Sequence, residues 1–119
     1  MQYLLLIHGE PEQFERMPDE AQNAMLREFA EFTGELRESG AYVGSNRLEP
    51  SRTASTVRVR DGETIVTDGP FAETKEQLGG YYLIEAESID EALEWAAKIP
   101  VARYGSVEVR PVVPIAVEV

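Results

Sequence analysis

Two short stretches are apolar on both of their alternating faces, and they narrow the possible folds more than any other feature of the chain. The first is "QYLLLIH", Gln2 to His8, where Tyr3, Leu5 and Ile7 point one way and Leu4 and Leu6 the other. The second is "YYLIEA", Tyr81 to Ala86, entered through Gly79-Gly80, a pair that gives the backbone freedom. A strand with one face in water alternates apolar with polar side chains. A strand greasy on both faces belongs inside a sheet whose two sides are covered.

The segments between them follow other periods. Gly9 to Met17 reads as polar connection. Pro18, Asp19 and Glu20 read as a helical first turn, with Met17 a poor N-cap. Ala21, Met25, Phe29, Phe32 and Leu36 recur at steps of four and three, one helical face, and Ser39-Gly40 stops it. Residues 41–54 read as irregular, with a short strand near Arg47 and Leu48. Thr56 to Arg60 alternates, Asp61-Gly62 makes a hairpin turn, and Thr64 to Val66 returns. Ser88-Ile89-Asp90-Glu91 is a capping box for a helix that ends before Pro100. Ser106 to Arg110 alternates again, and Pro111 and Pro114 confine the tail to edge pairing or exchange with a partner.

The order strand, helix, two or three strands, helix, strand is that of a ferredoxin-like α+β fold, an antiparallel sheet with two helices on one face. In that topology the two doubly apolar stretches are the central strands. Two helices cover one face only. The other still shows Leu, Ile and Tyr side chains, so a second copy packed sheet to sheet is expected, a homodimer.

The chain has 119 residues, a length that suits one domain spanning residues 1–119. Its formal charge is −11, which disfavours nucleic acid and anionic membrane surfaces as partners. With no cysteine, thiolate chemistry and disulfides are excluded. The first apolar run is too short for a signal peptide, and the expected location is cytoplasmic. No cofactor is implied: there is no phosphate-binding glycine loop and no nucleophile elbow. One histidine and no cysteine also leave a poor ligand set for a metal.

The longest motif is "DGPFAETKEQLGGYYLIEAES", Asp68 to Ser88. With "MQYLLLIHGE" at the start and "IPVARYGSVEVRPV" near the end, it resembles the YCII-related proteins of the DGPF-domain type. The likeness runs through nearly the whole chain. It implies a dimeric α+β barrel. It further implies kinship with lyases and isomerases that act on small cyclic compounds through a His and an Asp, and an association with extracytoplasmic-function sigma factors.

Two expectations for function stand side by side. One is an isomerase- or lyase-like acid–base enzyme with His8 and Asp68 as catalytic groups, since an imidazole suits proton transfer near neutral pH. The other is a non-catalytic module that binds a small ligand or a protein. For His8 the bland alternative is a strand-end histidine bonded to a carbonyl. For Asp68 it is a turn carboxylate accepting backbone N–H bonds. Four further residues are candidate ligand contacts. Phe71 is either an anchor pinning its loop to the core or a pocket wall, and the anchor is the favoured reading. Lys75 holds an anion or pairs with local acids. Tyr82, one of two tyrosines facing opposite sides of their strand, is the polar group of an otherwise apolar cavity. Arg103 closes over an anion or neutralises nearby carboxylates.

Overall fold

The two doubly apolar stretches do lie side by side at the centre of the sheet. A computed structural model describes residues 1–115, and the tail beyond lies outside them. In chain order the elements are β1 (Gln2–Gly9), α1 (Pro11–Glu15), α2 (Asp19–Ser39), β2 (Tyr42–Arg47), β3 (Ser55–Arg60), β4 (Glu63–Asp68), β5 (Gln77–Glu85), α3 (Ile89–Ala97) and β6 (Ser106–Pro111). Strands β2, β5, β1 and β6 form one sheet in that order, antiparallel at every pairing. Strands β3 and β4 form a separate hairpin. The fold is α+β, with three helices and an antiparallel sheet.

Alternation assigns the faces. Tyr3, Leu5, Ile7, Tyr82 and Ile84 are buried beneath α2 and α3, while Leu4, Leu6, His8, Tyr81 and Leu83 on the other face are half-buried. Phe32 of α2 meets the Tyr82 ring edge-on at 5.1 Å and the Trp95 ring of α3 at 6.1 Å, so aromatic contacts tie both helices to β5. Full burial of Leu5, Leu36, Ile84 and Ile99 stabilises the core by about 1.5–3 kcal/mol per side chain.

The helix signals act as read. Gly40 ends α2 in the left-handed region, its N–H bonded to the Arg37 and Leu36 carbonyls. Ser88 Oγ accepts the Glu91 N–H, and Glu91 Oε2 in turn accepts the Glu87 N–H. One shift is small: Pro18 is the N-cap of α2 and not its first residue.

Three expectations need correction. The connection from Gly9 to Met17 contains α1, a single turn with Pro11 at its start, fastened to α2 by Gln22 Nε2 donating to the Phe14 and Met17 carbonyls. Residues 41–54 hold a six-residue edge strand, β2. Its alternation is broken by a bulge at Val43, two residues of β2 standing opposite one of β5, which is why a period of two did not reveal it. Strand β5 starts at Gln77, four residues earlier than its apolar run. Gly79 is the extra residue of a bulge against β1, and a Cβ on Gly80 would meet the Asn46 carbonyl oxygen at 2.9 Å. The double glycine therefore serves a bulge and a close strand approach.

The β3–β4 hairpin turns through Asp61 and Gly62, at φ 51° and 78°, the left-handed pair of a type I′ turn. It makes little contact outside itself, and Val57 and Val66, paired across it, are 60% and 63% exposed.

Candidate functional site

A cavity of about 380 Å³ opens on the helix side of the sheet, between α1, α2 and the ends of β2 and β5. Ile7 and Tyr82 form its floor, Met25 and Phe29 of α2 one wall, and Phe14 of α1 another. Each wall follows from local sequence. The α2 stripe that buries Phe32 and Leu36 runs on through Phe29 and Met25 past the end of the core, so its first turns overhang the sheet without filling the space. The Gly79 bulge and the close approach at Gly80 leave the floor low at that point.

Few polar groups reach this space, and the hydrogen bonds define what each offers. Thr33 Oγ1 donates to the Phe29 carbonyl at 2.9 Å, so the Tyr82 hydroxyl, 2.8 Å from Thr33 Oγ1, must be the donor in that contact. The Tyr82 oxygen is left as an acceptor. Tyr104 donates to Met25 Sδ at 3.0 Å, a weak acceptor that a ligand oxygen would readily replace. Burial raises the Tyr82 phenol above its ordinary 10.0; the Thr33 hydrogen bond lowers it in part and Tyr42 adds a smaller upward push. Burial raises Tyr104 too, against a lowering by Arg103 and with a further rise from Glu28. Both phenols are neutral near pH 7, suited to hydrogen bonding and not to proton abstraction.

At the rim the Arg47 guanidinium carbon stands 5.1 Å over the Phe14 ring. Of the rim acids, Glu10 pairs with Lys75 at 3.5 Å and Glu15 with Arg52 at 3.4 Å. Arg47 is the basic residue of the lining, and among the described residues it has no carboxylate within ion-pair reach.

A second hollow of about 520 Å³ adjoins the first, sharing Glu10, Pro11, Pro50, Ser51 and Gln77. Its outer wall is Pro70, Glu73, Thr74 and Lys75, so the long central motif borders the way in. The motif is fastened just before β5 by Ser106 Oγ donating to Glu76 Oε1 at 2.7 Å.

The six residues singled out from sequence are dispersed. Tyr82 lies in the cavity floor and Lys75 in the outer wall. His8 sits on the opposite face of the sheet, its Nε2 3.2 Å from Glu108 Oε1. That bond goes to a side-chain carboxylate and not to a carbonyl. Asp68 ends β4 and lines neither hollow. Its turn is held by other groups, Thr56 Oγ1 donating to the Gly69 carbonyl and Gly69 N–H to that of Ala54, each at 2.7 Å. Arg103 donates to Glu28 Oε2 at 2.7 Å and to the Pro100 carbonyl, clamping the closing turn to α2. Phe71 is 84% exposed, so the expected anchoring of its loop to the core does not occur within the chain. Sequence reasoning passed over Phe14, Met25, Arg47 and Tyr104 as site residues. Met25 and Phe29 at the open end of the α2 stripe were the one available signal.

Among the described residues no group of three or more His, Asp or Glu side chains gathers to hold a metal. No helix among them is long and apolar enough to cross a membrane.

An antiparallel sheet with its helices on one side, and a hollow between α1, α2 and the ends of β2 and β5, defines a class of small α+β folds. Within it this chain belongs to the YCII-related domain family, which matches residues 1–116. An uncharacterized protein of Rhizobium meliloti (strain 1021) is 41% identical over 113 residues, a match covering 93% of this chain and 91% of that protein.

Proposed function

We propose that this protein binds a small, mostly apolar molecule in the cavity above Tyr82, acting as a homodimer of ferredoxin-like protomers. The observation that carries the reading is the character of that cavity. It has the size of a ligand site, its walls are aromatic and aliphatic, and its interior hydroxyls are neutral hydrogen-bonding groups. The lining holds no histidine, and two of its three acids are already paired with bases. Binding therefore accounts for it better than acid–base turnover. The test is a melting-temperature screen of apolar fragments. Hits should raise the midpoint in the native chain and lose that effect in Leu26→Trp, whose indole fills the hollow from α2. A library without hits, or hits indifferent to the tryptophan, contradicts the reading.

The dimer rests on the uncovered surfaces. Leu4, Leu6 and Leu83 stand half-buried on the open sheet face and Val57, Val59 and Val66 are exposed on the hairpin, apolar groups that a covering partner would take out of water. A two-stranded ribbon on its own is marginal in water, so the hairpin also requires a cover. A second copy supplies both.

Acid–base catalysis is favoured by one observation, the Glu108 carboxylate beside His8, which would orient the imidazole on the face turned to the second copy. Asp68 would then come from the partner protomer. Under this reading His8→Phe and Asp68→Asn each abolish turnover of a ligand the protein selects and leave the melting temperature unchanged. Full turnover in both variants rules it out.

A further inference from the structure

Resting on the binding reading above, we infer that the ligand is a monoanion with an apolar ring-sized body, its carboxylate held by Arg47 and its body lying on Met25, Phe29 and Tyr82. Arg47 is placed for this by three features. It ends β2, so its backbone pairs with Gly80 on the cavity floor. Its guanidinium is poised over Phe14, which narrows its conformations without using its hydrogen-bond donors. Two of the three lining acids are engaged elsewhere, Glu10 by Lys75 and Glu15 by Arg52, and the third, Glu49, stands outside ion-pair reach of Arg47.

The depth of the cavity fixes the rest of the molecule. Arg47 lies opposite Gly80 of β5, and Gly80 lies opposite Ile7 of β1. Two strand spacings, about 10 Å, thus separate the backbones of Arg47 and Ile7 across the cavity floor. A carboxylate at Arg47 leaves that distance to be spanned by apolar matter, and the side chains along it are Phe29, Met25 and Tyr82. A cation in place of the carboxylate would meet Arg47 directly. A dianion would face a single guanidinium in a chain of charge −11. The fit is to one negative charge, with planar two-oxygen geometry that a guanidinium receives in bidentate fashion.

Three probes of one shape separate the possibilities: 2-naphthoate, 2-naphthamide and 2-naphthylmethylamine, titrated calorimetrically into the native chain, Arg47→Gln and Leu26→Trp. The naphthoate should bind about tenfold more tightly than the amide, and the amine more weakly than both. Arg47→Gln should bring acid and amide within about twofold of each other. If the amide or amine equals the acid, or the preference survives in Arg47→Gln, the anion assignment is wrong while the cavity stands. If none of the three binds, or Leu26→Trp binds them as the native chain does, the cavity reading fails and the assignment falls with it.

Discussion

The hydroxyl of Tyr82 stands 2.8 Å from Thr33 Oγ1, joining the middle of β5 to the middle of α2 at the edge of the cavity. Because the Thr33 proton is already given to the Phe29 carbonyl, this contact fixes the direction of the Tyr82 hydroxyl as well as its place.

Removing that hydroxyl has two consequences. Tyr82→Phe should cost about 1 kcal/mol at neutral pH, read from denaturant midpoints. It should also flatten the alkaline limb of the stability profile. Burial raises the folded-state phenol, so the unfolded chain ionises first. The contribution of Tyr82 is complete below the unfolded value of about 10 and is lost as pH rises through the higher folded value. A native-like alkaline decline in the phenylalanine variant contradicts this assignment.

The two glycines before Tyr81 should respond oppositely. Alanine at Gly80 places a methyl group 2.9 Å from the Asn46 carbonyl oxygen, backbone that cannot swing aside. The expected loss is about 1–3 kcal/mol, with β2 displaced at the cavity rim. Alanine at Gly79 meets nothing within 4 Å and keeps a negative φ, so it should be neutral or slightly stabilising. Thermal unfolding of the two variants decides the point.

Arg103 belongs to the scaffold. Its bond to Glu28 is partly exposed, and Arg103→Ala should lower stability by no more than about 1 kcal/mol. Affinity for 2-naphthoate should stay within about twofold. A tenfold loss of affinity would return Arg103 to the ligand.

Leu6→Asp on the open sheet face and Val66→Asp on the hairpin should each convert a dimer into monomers at micromolar concentration, measured by sedimentation. A native chain that is already monomeric removes the basis for the dimer.

The central strands, the α2 stripe and the caps were legible because each is written in a local period or a short capping pattern. Strand β2 was hidden by its bulge at Val43, and α1 by being one turn long, too short for a helical period to show. The site was less legible. Phe14, Arg47, Tyr82 and Tyr104 come from four separate segments and meet only through the sheet register and the α1–α2 clasp. Chemistry-bearing residue types drew notice to His8 and Asp68, yet sheet alternation turns His8 to the face opposite the cavity. The exposure of Phe71 also lay beyond local pattern, since an aromatic in a polar loop reads alike whether it is pinned or free.

The methionines give the most direct test of where a ligand sits. The chain has three: Met25 is a cavity wall at 6% exposure, Met1 is 60% exposed at the start of the chain, and Met17 lies outside the lining. With ¹³C-methyl methionine labelling, adding 2-naphthoate should move the Met25 methyl resonance and give contacts from it to the naphthalene ring, while Met1 and Met17 stay in place. An unmoved Met25, or a shift confined to Met1 or Met17, would contradict the account.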